Sequence, residues 1–325
     1  MRQNLEGVLV TGANGFVGQR LGDCLDRSNW EVIRAVREAT NTDDVSVGDI
    51  GVSTDWSRAL AGVDAVVHLA ARAHVMRDAA ADPLEEYRRV NVAGSLNLAR
   101  QAAAAGVRRF VYLSSTKVNG ESTEPGSPFT ADGRAAPEDA YGKSKQEAEQ
   151  DLRALAATTG MEVVIIRPPL VYGPGVKANF LAMLRWLYRG IPLPLGAIHN
   201  KRSLVGLDNL VDLIVTCLAH PAAANQTFLV SDGEDLSTAD LLRRAAAALG
   251  CTARLLPVPP TWLEVGASLI GKRAVAQRLV GSLQVDMAKT CGLLGWAPPV
   301  TVDQELRRTA EYFLQHQVGR RTSGD

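Results

Sequence analysis

Tyr141 and Lys145 stand four residues apart at the start of a helix-like stretch, so their side chains share one helical face. A tyrosine with a pKa near 10 is a poor base at neutral pH. An ammonium within reach stabilises the phenolate and lowers that pKa, which makes Tyr141 a candidate general acid/base for a carbinol or ketone oxygen. Ser115 follows the strand-like run Phe110–Ser114, from where its hydroxyl can donate to the same oxygen and to Tyr141. Upstream, Thr11-Gly12-Ala13-Asn14-Gly15-Phe16-Val17-Gly18 leads straight from the first apolar run into the first helix pattern. Three glycines spaced by three let the backbone turn tightly, approach a pyrophosphate and pack helix on strand. The helix N-terminus then offers free N–H groups to the phosphates. The position of the turn between strand and helix points to a bound dinucleotide.

The elements that must position these groups alternate along the first half of the chain. Strands are predicted at Gly7–Thr11, Trp30–Val36, Val45–Asp49, Ala65–Ala70, Phe110–Ser114 and Val163–Arg167. Several are near-continuous runs of Val, Ile and Leu, as in parallel strands covered on both faces. Helices are predicted at Phe16–Asp26, Pro83–Ala105 and Asp139–Thr158, with Pro83 in a first turn and Gly106 and Gly160 as stops. The alternation predicts an α/β fold with a doubly wound parallel sheet. After Gly173 prolines punctuate a helix-rich region, with short strands predicted only near Ser203–Leu207, Thr227–Val230 and Arg254–Leu256. The chain is thus expected to divide into a cofactor domain over 1–172, a smaller and mostly helical substrate lobe over 173–318, and a tail over 319–325. Leu263, Val265, Leu269 and Ile270 are expected to be core.

The 325 residues carry 35 Lys+Arg against 35 Asp+Glu, a balance that argues against a nucleic-acid binder. No apolar run approaches the roughly 18 residues of a membrane span, and no secretory signal is expected ahead of the first strand. Cys24, Cys217, Cys251 and Cys291 are widely separated, without CxxC spacing. They read as reduced thiols of a cytoplasmic protein, neither a disulfide frame nor a metal site.

Further segments extend the pattern: Gly48-Asp49-Ile50, His68-Leu69-Ala70-Ala71, Asn91-Val92-Ala93-Gly94, Ser114-Ser115, Tyr141-Gly142-Lys143-Ser144-Lys145, Arg167-Pro168, Tyr172-Gly173-Pro174, Arg202, Asp208-Asn209 and Leu294-Gly295-Trp296. With the GxxGxxG turn, this series resembles the extended short-chain dehydrogenase/reductase family, specifically its nucleotide-sugar epimerases, dehydratases and 4-ketoreductases. The resemblance covers almost the whole chain. It implies a Rossmann-type domain in which Gly12, Asn14, Gly15, Phe16, Val17 and Gly18 cradle the pyrophosphate of NAD or NADP, and Asp49 and Ile50 receive the adenine. Leu69, Ala70, Ala71, Asn91, Ser114 and Pro168 line the cofactor, and Lys145 and Tyr141 meet its nicotinamide ribose. Register against the family places the catalytic serine three residues before Val118, at Ser115. The resemblance also implies substrate contacts from His74, Ser115, Thr116, Tyr141, Asn179 and Arg202, the last two to a nucleotide diphosphate.

Departures from the family narrow the chemistry. Dehydratases place an Asp-Glu pair directly after the catalytic Ser/Thr, whereas this chain has Thr116-Lys117. Elimination of water is therefore unsupported, leaving 4-keto reduction or 4-epimerisation. The second strand ends with Arg34 and Arg37 where NAD-specific sites carry an acid. The two arginines suit a 2′-phosphate, which leans toward NADP(H) and toward a reductase that consumes external cofactor. Pro169-Leu170 replaces the Phe-Asn of many family epimerases, one side chain of which helps hold the diphosphate. The expected activity is therefore an NAD(P)H-dependent 4-ketoreductase of a UDP-linked 6-deoxy-amino sugar used in bacterial surface polysaccharide such as O-antigen. The alternative is a UDP-sugar 4-epimerase with tightly bound NAD, ahead of a non-catalytic NADP(H)-binding regulator. The family also implies a homodimer through the helices near Pro83–Ala105 and Asp139–Thr158.

Overall fold

The computed structural model describes residues 6–318 except 29, 40, 43, 74–81, 125, 270 and 272. Seven parallel strands form the main sheet in the order β3-β2-β1-β4-β5-β6-β9. They are β1 (Glu6–Thr11), β2 (Trp30–Val36), β3 (Asp44–Ser46), β4 (Ala65–His68), β5 (Arg109–Leu113), β6 (Glu162–Arg167) and β9 (Thr227–Leu229). Alternate residues of one strand enter different cores: Val8 and Val10 of β1 pack on one face, Leu9 on the other, and Val164 and Ile166 oppose Val163 and Ile165 in β6. Side chains alternate across a strand, so two-sided burial explains the unbroken apolar runs. Each fully buried Val or Leu contributes about 1.5–3 kcal/mol.

Helices flank this sheet. α1 (Phe16–Leu25) follows the glycine turn. α2 (Pro83–Tyr87) leads through a π-helical turn at Arg88–Gly94 into α3 (Ser95–Ala104), and α4 (Ala140–Thr159) precedes β6. Asp82 caps α2 by accepting the Leu84 and Glu85 amides, and Pro83 occupies its first turn. The helix expected over Pro83–Ala105 is therefore interrupted. The widened turn brings in the buried Asn91, whose amide donates to the Arg72 carbonyl at 3.1 Å and to Ser144 Oγ at 3.0 Å, while its oxygen accepts the Arg72 amide at 2.8 Å. Local periodicity does not report such tertiary partners.

Beyond β6 lie β7 (Leu170–Tyr172), α5 (Ala178–Tyr188), β8 (Arg202–Gly206), α6 (Leu207–Ala219), β10 (Asp235–Leu236), α7 (Thr238–Ala248), α8 (Pro260–Leu269), α9 (Arg273–Val280), α10 (Ala288–Leu294) and α11 (Val302–Phe313). β10, β8 and β7 form a three-stranded sheet over its own core. The strand expected near Thr227–Val230 leaves this lobe and joins the main sheet, pairing in parallel with β6 from Ile165↔Thr227 to Arg167↔Leu229. It covers what would otherwise be an open edge of β6. The apolar surface of α6 also belongs to the main-sheet core, through Leu210, Leu213, Ile214 and Cys217. Arg254–Leu256 provides a single β-bridge from Leu255 to Leu193. No described helix is long and apolar enough to cross a membrane, and the four cysteines are free thiols.

Candidate active site

The glycine turn sits at the carboxyl ends of β1 and β4. Gly12 has φ +66°, and a Cβ there would come within 3.0 Å of the Ala70 amide nitrogen. A Cβ on Gly18 would lie 2.2 Å from the Gly12 carbonyl oxygen, so these glycines answer to close backbone approach. The Gly15 amide donates to that carbonyl at 2.9 Å. Gly15 itself is the N-cap of α1, and no side chain caps the helix. Its first N–H groups are thereby available to an anion. Thr11 Oγ1 accepts the Ala70 amide at 3.2 Å and meets His68 Nδ1 at 2.6 Å, which fixes Leu69, Ala70 and Ala71 beside the turn. Burial pushes His68 down to about 3, so the imidazole is neutral.

Ser115, Tyr141 and Lys145, the residues expected to react, lie at the end of β5 and the start of α4. Asp139 caps α4 through the Gly142 amide at 2.7 Å, setting Tyr141 and Lys145 in its first turns. Lys145 is 2% exposed; its Nζ donates to the Leu113 carbonyl at 2.8 Å and to the Tyr112 hydroxyl at 3.1 Å, and lies 6.0 Å from the Tyr141 ring centroid. Burial draws the ammonium down to about 7 against the opposing pull of Glu149. Burial also raises the Tyr141 phenol above its ordinary value. Ser115 is half-buried, and its Oγ accepts the Lys117 amide at 3.2 Å.

Below these groups runs a buried network invisible in the motif. Glu149 Oε1 accepts from Ser114 Oγ at 2.6 Å and from Arg167 Nε at 2.8 Å, and Glu149 Oε2 lies 2.5 Å from Arg167 Nη2. The Ser114 hydroxyl is thus committed beneath the sheet edge. Glu149 and Tyr112 were missed as site residues; the only available signal for Glu149 was its place four residues after Lys145 on α4. The positions expected of a dehydratase acid pair are occupied otherwise. Thr116 is buried, with its amide donating to the Pro168 carbonyl at 3.0 Å. Lys117 bridges Glu121, at 2.7 Å, and Asp139.

Other expected residues are distributed around this centre. Arg34 pairs with Asp26, and Arg37 Nε lies 2.8 Å from Asp49 Oδ1. Both arginines therefore carry acid partners that a count of cations at the strand end missed. Ile50 packs on Gly94, where a Cβ would fall 2.7 Å from its Cγ2. Asn179 is exposed in the first turn of α5. Arg202 Nη1 donates to the carbonyls of Arg278 at 2.8 Å and Gly281 at 3.0 Å. The loop following Ser115 is stitched to the second lobe: the Thr123 amide donates to the Ser282 carbonyl, and the Phe129 amide to that of Gln284. His74 lies outside the described residues. Among the described residues, no cluster of His, Cys, Asp and Glu could hold a metal.

The glycine turn thus lies at the switch point of the parallel sheet, where open α/β sheets bind their ligands, with Ser115, Tyr141 and Lys145 one strand away. A family model described as the NAD dependent epimerase/dehydratase family matches residues 8–231. The chain is 53% identical over 97% of its length to a UDP-glucose 4-epimerase of Vibrio cholerae, covering 97% of that protein. It is 29% identical, over 96% of each chain, to an N-acetyl-alpha-D-glucosaminyl-diphospho-ditrans,octacis-undecaprenol 4-epimerase of Escherichia coli O157:H7. The structure of UDP-N-acetylglucosamine 4-epimerase from Bacillus cereus superimposes with a TM-score of 0.77 at 21% identity, covering 96% of this chain and 99% of that one. This chain belongs to the NAD dependent epimerase/dehydratase family.

Proposed function

We propose that the protein is a 4-epimerase of a UDP-linked hexose or N-acetylhexosamine that retains NAD through turnover. The observation that carries this is the 53% identity, over 97% of the chain, to a protein named UDP-glucose 4-epimerase; the Ser115, Tyr141 and buried Lys145 set, with Thr116 and Lys117 in place of the two carboxylates that elimination needs, fits that chemistry and speaks against dehydration. The name of the 53% identical relative supports epimerisation over the reductase expected from the motifs. Arg34 and Arg37, already paired with Asp26 and Asp49, also favour a cofactor without a 2′-phosphate.

The residues present suit a dinucleotide. Gly12, Gly15 and Gly18 pack so closely that side chains would fill the cradle, and the uncapped start of α1 presents its amides. Asn14, Phe16 and Val17 would complete the turn, with Asp49 and Ile50 toward the adenine and Leu69, Ala70, Ala71, Asn91 and Pro168 along the ring system. When bound, NAD would supply both the acceptor for the hydride leaving C4 and the donor that returns it, and in its oxidised form a positive charge that favours the Tyr141 phenolate. Tyr141 accepts the O4 proton as C4 becomes a ketone, while Ser115 donates to the same oxygen. Lys145 holds positive charge beside the phenol and counteracts its desolvation. Tyr141 then returns the proton to O4 after the planar centre has presented its other face. Asn179 and Arg202 are assigned to the diphosphate, and Thr116 borders the sugar.

Purified protein given UDP-glucose or UDP-N-acetylglucosamine without added cofactor should form the 4-epimer with no net nicotinamide reduction. Stoichiometric NADPH oxidation with a UDP-4-keto-6-deoxy-N-acetylhexosamine, and no epimer from either UDP-sugar, would return the assignment to reductase.

A further inference from the structure

Two stretches of the second lobe are joined backbone to backbone and carry several of the most exposed apolar side chains. The Leu256 amide donates to the Leu193 carbonyl at 2.8 Å, and the Gly196 amide to the Leu256 carbonyl at 2.9 Å. The Ile191 amide reaches the Trp186 carbonyl, and that of Trp262 reaches Pro259 at the start of α8. Trp186, Ile191 and Leu256 therefore belong to one zipped unit, Trp262 follows it in the first turn of α8, and all four are exposed. Trp262 is 73% and Val265 62% exposed, which corrects the expectation that this apolar stretch is core. Leu263 is half-buried, the Leu269 side chain is not described, and Ile270 lies outside the described residues.

The same stretches concentrate positive charge. Residues 174–207 contain five basic and no acidic residues, and residues 252–285 contain four basic and a single acid, Glu264, in a chain whose net charge is zero. Arg189 and Arg254 are exposed within the zipped unit. α9, which follows α8, ends beside the Arg278 and Gly281 carbonyls that hold Arg202.

We propose that this face docks on an anionic phospholipid bilayer, with Trp262, Val265 and Trp186 entering the headgroup layer and the arginines meeting lipid phosphates. Exposed large apolar side chains gathered on neighbouring stretches mark an interaction site, and tryptophan favours the membrane interface. A few apolar side chains bind a bilayer weakly, so a second, electrostatic signal is what makes docking persistent. Arg189 and Arg254, exposed on the zipped unit within these acid-poor stretches, supply it. A second copy packed through the same patch about a two-fold axis would set like charge against like. The inference concerns an interaction surface and stands independently of which sugar is epimerised.

Flotation of the full-length protein with vesicles tests this. The protein should co-float with equal parts phosphatidylcholine and phosphatidylglycerol at low ionic strength, and bind phosphatidylcholine alone at least about tenfold more weakly. Trp262→Glu with Val265→Glu should abolish flotation while turnover of a soluble UDP-sugar and Tm stay unchanged. Arg189→Glu with Arg254→Glu, which spares the apolar groups, should weaken binding by on the order of tenfold or more and flatten its salt dependence. Failure to float with anionic vesicles, or undiminished flotation of either variant, overturns the proposal. A fall in sedimenting mass on changing Trp262 and Val265 assigns the face to a second copy and overturns it equally.

Discussion

Lys145 and Glu305 are two buried ionisable groups that burial moves to about 7 from opposite sides, the ammonium down from 10.5 and the carboxyl up from 4.5. Their surroundings differ. Lys145 has a carbonyl and a hydroxyl to donate to, and Glu149 supports its charge. Glu305, on α11, is 0% exposed and pressed against two chain reversals: a Cβ on Gly206 would lie 2.8 Å from its Cγ, and one on Gly173 2.8 Å from its Oε1. Neither carboxyl oxygen finds a well-formed hydrogen bond among the described residues. Asp208 and Asp232 repel its charge, the Asp208 amide and Arg308, the latter 3.7 Å away, favour it, and Arg20 and Arg308 are both engaged by Asp208. A buried charge is tolerated when paired and costly when not. Equal titration midpoints therefore signify different things: one group is poised near the Tyr141 ring, the other titrates inside a junction where it has nothing to act on. A perturbed pKa marks a site only where geometry supplies a partner to act on.

The largest effect expected to separate the two regions is on turnover. Tyr141→Phe should lower the rate of the proposed epimerisation by about 10²–10⁴-fold with an unchanged Tm, whereas Glu305→Gln should leave turnover essentially intact. An equal loss of rate in both, with each variant still folded, would break the distinction. Next comes Glu149→Ala, which strips the acid from Arg167 at the base of the catalytic region. Leaving that guanidinium buried and unpaired should cost about 3–5 kcal/mol in urea unfolding. A loss under about 1 kcal/mol, in the range of an exposed pair, would show that the network does not anchor β6 to α4.

These contrasts show why the sequence discloses some features and conceals others. The glycine turn was legible because its requirement is local: Gly12 needs positive φ, and Gly18 must touch the Gly12 carbonyl. Tyr141 and Lys145 were legible because helix geometry converts a spacing of four into a shared face. β1 and β6 were legible because two-sided burial leaves no polar positions to interrupt them. What remained hidden depends on partners distant in sequence. The π turn at Asn91 is set by Arg72 and Ser144, and the join of β9 to β6 by a chain that returns from another lobe. Val265 was assigned to the core because periodicity reports apolarity and not what covers it. Reductase and epimerase share Ser115, Tyr141 and Lys145, so no residue type in the motif separates them; the close relative shifted that balance.

Glu305 and its helix cap supply the two smaller tests. With a folded value near 7 and an unfolded one near 4.5, the native state holds more protons between those limits. Stability is then full below about pH 4.5 and falls through about 7, in total by on the order of 3 kcal/mol. Lys145 has the opposite slope, since its depressed value makes stability rise between about 7 and 10.5. Glu305→Gln should match the parent at low pH and exceed it by up to about 3 kcal/mol at pH 8 in denaturant titrations; parallel curves would refute the buried-acid account.

Thr301 begins the same helix with a capping box: its Oγ1 accepts the Gln304 amide at 3.3 Å, and Gln304 Oε1 accepts the Thr301 amide at 2.9 Å. Thr301→Ala should cost about 1 kcal/mol. Neither side chain titrates, so that loss should be the same at pH 5 and pH 8. The Glu305 amide, however, donates to the Thr301 carbonyl at 3.1 Å, so the cap and the buried acid share one turn. If removing the cap also shifts the pH midpoint toward 4.5, fraying of that turn admits water to the carboxyl. The acid's isolation would then derive from the helix end as much as from Gly173 and Gly206. An unmoved midpoint would assign the isolation to those two glycines and to the packing of α11 against them.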